Sequence, residues 1–361
     1  MMVMRRLYRL AGSASPFVII GGLFYAGFFI KPEPKGDAVT RPAFERSDRL
    51  YGTAVQPDGK IWLVGNNGKI LDSTDAAHTW QYATDPVRVA LQDVAAWDDR
   101  RAIAVGDDGI ALITDDGGKS WKPVNTPKSK IANKLMRVKT EPDGHAIAVG
   151  EGGVIVMSSD YGQHWVAVRP EEDEAWNDVD LRDGHGWIVG ERGRILLSSD
   201  NGRSWREVTS PLKSSLMSVS FKDQTDGVAV GLNGVILASH DGGQTWRQKP
   251  FQSPDQAEAG GSTRTPDGST TLYERGRTEH LLCVVWDGKR WIAAGTKGVI
   301  AVGDADGDHW RGTRLTPDDR HWYTAIVPYR GRYLLSGSRF VSFPMNGLKS
   351  VAVSDKAGEH A

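Results

Sequence analysis

The stretch Val189 to Trp205 reads VGERGRILLSSDNGRSW. Five other stretches share its layout, beginning at Val64 (VGNNGKILDSTDAAHTW), Val105 (VGDDGIALITDDGGKSW), Val149 (VGEGGVIVMSSDYGQHW), Val230 (VGLNGVILASHDGGQTW) and Ala294 (AGTKGVIAVGDADGDHW). Their closing tryptophans, Trp80, Trp121, Trp165, Trp205, Trp246 and Trp310, are 41, 44, 40, 41 and 64 residues apart. A period near 40 with Gly and Trp punctuation marks a repeat architecture whose units bury a core only by stacking on one another.

Each unit begins with an apolar run ending in Val-Gly or Ala-Gly, then a tight turn closed by glycine, such as Asn67-Gly68 or Asp108-Gly109. Asn-Gly and Asp-Gly supply the positive φ angles of a short reversal. A second strand follows, and then a Ser-x-Asp-x-Gly-x-x-Trp segment. The key residues are Ser73, Asp75 and Trp80 in the first unit, and Thr114, Asp116 and Trp121 in the second. They are Ser158, Asp160 and Trp165 in the third, Ser198, Asp200 and Trp205 in the fourth, and Ser239, Asp241 and Trp246 in the fifth. Short Ser and Asp side chains bond nearby amides and hold a turn. The aspartates are therefore read as structural rather than catalytic.

A further strand precedes every unit: Leu50–Val55, Leu91–Trp97, Leu135–Thr140, Trp176–Leu181, Leu216–Phe221, Leu281–Trp286 and Trp322–Val327. Seven units of four strands predict an all-β chain, a seven-bladed β-propeller of four-stranded antiparallel blades over residues 48–354. Three units are degenerate. Ala77 replaces the first glycine, Gly303 and Ala305 replace the Ser and Asp of the sixth turn, and the seventh unit has no Asp-type turn.

The segment layout, Gly-x-x-Gly-x-Ile followed by Ser-x-Asp-x-Gly-x-x-Trp, resembles the BNR/Asp-box repeat. More narrowly, it is similar to the photosystem II stability/assembly factor-like propellers, of which this chain reads as a non-phototroph bacterial member. The resemblance covers Leu50 to Trp310 well. It implies a non-enzymatic interaction module that helps assemble or stabilise a membrane complex. Two partner classes follow from it: an exporter of the resistance-nodulation-division class, served by an accessory subunit, and, as the alternative, a photosystem II reaction-centre precursor. Sialidases also carry Asp-boxes, which keeps a glycosidase or carbohydrate-binding propeller as a third reading.

The 361 residues carry a formal charge of −1, so no overall field points to nucleic acid. Cys283 is the one cysteine and cannot form an internal disulfide; its apolar strand assigns it to packing. No nucleophile elbow and no His-Glu-x-x-His motif is present, and the histidines are scattered. No cofactor, metal or catalytic residue is expected.

Residues 1–9 carry three arginines, and residues 10–30 are uncharged. Twenty-one such residues suffice to span a bilayer, and the flanking arginines stay in the cytoplasm. One N-terminal transmembrane helix is expected, uncleaved, with the propeller in the periplasm of a bacterial inner membrane. Residues 31–47 hold Pro32, Pro34 and Pro42 and read as a stiff linker. The long spacing in the sixth unit places a loop insertion at 252–279, and 355–361 is a polar tail.

The first strand of each blade lines the central channel of a propeller. The third position of these strands reads Gly52, Asp93, Arg137, Asp178, Ser218, Cys283 and Thr324. Asp93, Arg137 and Asp178 are candidates for a polar mouth that docks an integral membrane protein or one of its exposed loops. Trp176 and Trp322 open their strands and His321 adjoins one, so these three are candidate contacts at a face.

Overall fold

A computed structural model describes residues 19–25, 42–83, 87–130, 132–251, 254 and 279–348. The chain divides into two compact units, residues 1–42 and 43–361. In the first unit, residues 19–25 form an exposed helix. Among the described residues no helix is long and apolar enough to cross a membrane. The rest of the expected span at 10–30, the basic 1–9, linker residues 31–41, nearly all of the insertion at 252–279 and the tail at 355–361 lie outside the described residues.

The second unit is a seven-bladed β-propeller. Among the described residues six sheets have four strands in sequence order and the seventh has three. The first strands are Leu50–Val55, Leu91–Ala96, Leu135–Thr140, Trp176–Arg182, Leu216–Phe221, Leu281–Trp286 and Tyr323–Tyr329. Each packs beside the next, and the last returns to the first. Residues 42–49 contain no strand, so this part of the linker adds no strand to the ring.

One backbone contact recurs in all seven blades. The second strand ends in glycine, and a Cβ there would lie 1.8 to 2.4 Å from the carbonyl oxygen of the residue just before the first strand. That carbonyl accepts the N–H of the residue after the glycine: Asn66 N to Arg49 O at 3.0 Å, Leu232 N to Ser215 O at 3.0 Å, Ser338 N to Trp322 O at 3.0 Å. The first strand bulges beside the same glycine in every blade. The requirement is steric. Gly231, for instance, has φ −164°, an extended value open to any residue.

The register of that bulge corrects one expectation. Tyr323 pairs with Gly337 as Leu50 pairs with Gly65, so blade 7 begins at Tyr323, not Trp322. Its third position is Ala325; Thr324 is the second. Aligning Trp322 with Trp176 was attractive because both are tryptophans near a strand start, but apolar type alone does not fix a register.

The Asp-boxes behave as turns. In the fourth, Ser198 Oγ donates to Asp200 Oδ1 at 2.8 Å and accepts Gly202 N at 2.9 Å. Asp200 Oδ1 accepts Ser204 N at 2.9 Å and Oδ2 accepts Ser204 Oγ at 2.5 Å. The same four bonds recur around Asp75, Asp116 and Asp241. Around Asp160, His164 takes the place of the second hydroxyl. In the sixth turn the role moves by one residue to Asp304, which accepts Asp308 N at 2.9 Å and bonds His309 Nδ1 at 2.6 Å. In the first turn Ala76 and Ala77 hold φ +61° and +68°, the left-handed region that glycine tolerates.

Each box also seats a side chain from the preceding blade. A Cβ on Gly118 would meet the Trp62 ring at 1.7 Å, one on Gly202 would meet Ile147 at 2.0 Å, and one on Gly243 would meet Trp187 at 2.6 Å. Trp62, Ile147 and Trp187 are all fully buried and lie three residues before the glycine that ends their second strands. Polar bonds close the ring between blades 7 and 1: Thr53 Oγ1 to Ser336 Oγ at 2.7 Å, Thr324 Oγ1 to Tyr51 O at 3.0 Å and Tyr329 OH to Gly59 O at 2.9 Å.

Two predictions follow from these contacts. Gly231→Ala forces Ser215 and its strand apart and should cost ~3 kcal/mol in urea unfolding, whereas Gly347→Ala, with open space around it, should stay within about 0.5 kcal/mol. Hydrogen bonds from the Ser204 side chain, its backbone and Ser198 hold the Asp200 carboxyl down at about 2. A depressed native value means that the stabilisation is complete above the ordinary Asp range near 3.8 and is lost as pH falls toward 2. Thermal melts should therefore show a smaller drop between those pH values in Asp200→Asn than in the parent.

Candidate functional site: the central channel and its rim

The first strands carry two rings of side chains near their starts. The third-position ring contains the charges. Asp93 Oδ2 accepts Val138 N of the next blade at 3.0 Å. Asp178 Oδ2 accepts Val219 N at 3.0 Å and Ser218 Oγ at 2.7 Å, while its Oδ1 accepts Val179 N at 2.9 Å. Ser218 Oγ in turn accepts Val284 N at 3.2 Å. The third position is thus a brace between neighbouring blades, which explains its preference for small polar types.

Arg137 reaches out of blade 3 and donates from Nη2 to Thr324 O of blade 7 at 2.9 Å, with Nε 3.8 Å from Asp178 Oδ1. It ties together strands that are not neighbours in the ring. Two positions further along, Lys139 Nζ lies 3.9 Å from Asp180 Oδ1, and Asp180 Oδ2 accepts Phe221 N at 2.8 Å.

Burial pushes the Asp93 and Asp180 carboxyls up, opposed chiefly by Arg137 for the first and Lys139 for the second. Burial also works against the Lys139 ammonium, but the carboxylates of Asp180, Asp178 and Asp93 outweigh it and raise its value. Protein atoms surround Lys139, yet 45% of its side chain stays accessible, as a position in an open channel allows. All five charges come from blades 2–4; blades 5–7 and 1 contribute Ser218, Cys283, Ala325 and Gly52 to the same ring. Cys283 is buried and burial pushes its thiol up to about 12, in keeping with its expected packing role.

The structure brings Asp93, Arg137 and Asp178 together, but their bonding groups face one another and the ring backbone. Trp176 stands elsewhere. It is 1% exposed, so it is not the face residue that its place at a strand start suggested. The Arg194 guanidinium lies over its ring at 4.6 Å, and Glu172, Glu174 and Glu207 hold that arginine. Glu172 and Glu174, from the acidic run at 171–174, are therefore part of a clamp.

Trp322 and His321 are half-buried at the rim where the first strands begin. Trp322 stacks on Tyr51 at 5.9 Å between ring centres. Asp319, itself buried, accepts His321 N and bonds His321 Nδ1 at 2.9 Å, and it also holds Tyr323 OH and Arg339. The second-position ring, which the third-position alignment passed over, reads Tyr51, Gln92, Met136, Asn177, Met217, Leu282 and Thr324. The rim thus mixes aromatic, thioether and aliphatic side chains with the uncharged polar Gln92, Asn177 and Thr324, and the charged ring lies one position deeper. The signal was in the sequence, one residue upstream of each compared position in blades 1–6, while in blade 7 the compared Thr324 was itself the second-position residue. Among the described residues no group of His, Cys, Asp and Glu is placed to hold a metal ion.

Removing Arg137 leaves the buried Asp178 with one counter-charge fewer. Arg137→Ala should cost about 2–3 kcal/mol in urea unfolding, and Asp178→Asn introduced beside it should recover part of that loss.

Comparison with known proteins places this geometry. The sequence model described as photosynthesis system II assembly factor YCF48 matches residues 22–158 and 203–263, more than half of the chain. The photosystem II assembly lipoprotein Ycf48 of Synechococcus sp. (strain CC9605) is 35% identical over 113 residues, 29% of this chain and 32% of that protein. The photosystem II assembly protein Ycf48 of Thermosynechococcus vestitus (strain NIES-2133 / IAM M-273 / BP-1) is 31% identical over 124 residues, 33% and 35% of the two chains. The chain thus spans about a third of the length of these relatives. YCF48 from Cyanidioschyzon merolae superposes with a TM-score of 0.63 at 17% identity, over 83% of this chain and 96% of that one. A YCF48 bound to a D1 peptide superposes with 0.61 at 17% identity, over 81% and 91%. At such identities the likeness shows the fold alone. These matches support the assembly-factor alternative and lend nothing to an exporter-accessory role. The chain belongs to the photosynthesis system II assembly factor YCF48 family.

Proposed function

We propose that this chain is a non-enzymatic assembly factor, a rigid propeller that holds an extended segment of a membrane protein while the partner's complex is built. Membership of the YCF48 family carries the reading, since a solved YCF48 of the same fold holds a D1 peptide. The channel supports it. Among the described residues its carboxylates are engaged with backbone amides and with Arg137 and Lys139, as structural braces are. The rim supplies what a peptide site needs: Trp322 stacked on Tyr51, with Met136, Met217 and Leu282 in the same ring. Thioethers adapt to varied side chains and aromatic rings anchor them. Residues 10–30 hold the propeller at the outer face of the membrane, close to such a partner.

The test is affinity purification of the tagged full chain from gently solubilised native membranes, with mass spectrometry of what co-elutes. A reaction-centre protein of the D1 type, recovered in near-equal amount, is the expected result, and it would replace the expectation of a non-phototroph source. Trp322→Ala should lower that recovery at least tenfold and leave the thermal midpoint within a few degrees of the parent. Co-elution of exporter subunits alone, or a Trp322→Ala variant that recovers the partner undiminished, would sink the proposal.

A further inference from the structure

Blade 5 departs from the other six in the placement of one charge. The residue five before the glycine that ends each second strand is, in chain order, Lys60, Arg101, His145, His185, Asp226, Arg290 and Arg332. Six of these are basic types and only the one in blade 5 is acidic. In blades 1, 2 and 6 this base reaches the turn after the third strand of the following blade. Lys60 Nζ donates to Gly117 O at 2.7 Å, the Arg101 guanidinium lies over the Tyr161 ring at 3.5 Å, and Arg290 Nη2 donates to Met345 O at 2.7 Å. A carboxylate at Asp226 has no proton to give such a turn.

A histidine supplies the missing base. His240 directly follows the third strand of blade 5, Ile236–Ser239. The same place after the third strands of blades 1–4 and 6 is held by Thr74, Asp115, Ser159, Ser199 and Asp304. His240 Nδ1 lies 2.7 Å from Asp226 Oδ1 of its own blade, and Nε2 lies 3.3 Å from Asp308 Oδ1 in the turn of blade 6. Asp308 is fixed there by donating its N–H to Asp304 Oδ1 at 2.9 Å. Two lysines complete the cluster. Lys249 Nζ lies 2.5 Å from Asp308 Oδ1, and Lys222 Nζ lies 3.1 Å from Asp226 Oδ2 and donates to Ala305 O at 2.9 Å. Asp223, the remaining acid of that hairpin, accepts the N–H groups of Thr225 and Asp226.

An ionised carboxylate only accepts, and a neutral imidazole carries one N–H. A ring with a carboxylate oxygen at each nitrogen therefore needs both protons. We propose that His240 is a pH-sensitive clasp across the seam between blades 5 and 6, closed while its ring carries both protons and released on the Asp308 side when it loses one. The bond to Asp226 is the shorter, so Nδ1 keeps its proton and Nε2 gives up the other. The Nε2 lone pair then faces Asp308, which stays with Lys249. Lys222 still reaches Ala305, so the turn loosens without the blades parting. The Asp226 bond raises the ring's pKa above the ordinary 6.5, burial opposes it, and Asp308 adds to the rise. With a raised native value, the clasp contributes fully below about 6.5 and is lost as pH rises through that native value. The inference goes beyond the assembly role and does not depend on it.

Hydrogen exchange of the full chain, read by mass spectrometry over 304–310, tests it. Each variant is compared with the parent at the same pH, which cancels the intrinsic pH dependence of exchange. His240→Gln should exchange this turn at least about threefold faster than the parent near pH 6, and at the parent's rate near pH 8.5. His240→Arg, which keeps its charge throughout, should match the parent near pH 6 and exchange at least about threefold more slowly than it near pH 8.5. The His240 ring signal, assigned by its loss in His240→Gln, should titrate above 6.5 and move back toward that value in Asp308→Asn. A Gln-to-parent ratio that is the same at both pH values would overturn the proposal, since the histidine would then be a spacer only. A ring that titrates at or below 6.5 would overturn it as well.

Discussion

The ring rests on a contact without a side chain. At seven places the carbonyl before a first strand presses on the glycine that ends the second strand, closer than any Cβ would permit. The contact bulges the first strand and gives the next N–H an acceptor. In doing so it leaves the second residue of each first strand unpaired beside the paired third residue, and these two positions form the rim and the charged ring.

The charged ring then stabilises the ring as a closed object. A carboxylate from one blade accepts an amide of the next, as Asp93 does from Val138 and Asp178 from Val219. Arg137 crosses the channel from blade 3 to blade 7 and ties together strands that are not neighbours in the ring. Polar atoms in a confined channel are expensive unless paired, so the channel charges are bound to one another. What the protein offers a partner must then come from elsewhere, and the rim, with its aromatic stack and two thioethers, is the surface left accessible.

How much of this was legible depends on whether the signal is local. The Asp-boxes were, because Ser198, Asp200, Gly202 and Ser204 bond within seven residues of one another. Even their failure in the sixth turn is a local event, the shift of one role to Asp304. Trp176 was not legible. Its strand-start position matches a face residue, and only the packing of one blade on the next buries it, among Ile147, Val149, Ile155 and Ile188 with Arg194 over its ring. The start of blade 7 was misplaced by one residue, because Trp322 and Tyr323 are both aromatic and only pairing with Gly337 distinguishes them.

The amino-acid sequence by itself determined the all-β repeat, the count of seven, the turns and the likeness to the assembly-factor propellers. All of these follow from residue types at short spacing, where steric and hydrogen-bonding rules act within one hairpin. The tertiary structure decided which charges are spent and which surface is free. Asp93 and Val138 are 45 residues apart, and Arg137 and Thr324 are 187 apart. Such partners meet only when the ring closes, and a pairing made by closure leaves no periodic mark on the chain that makes it.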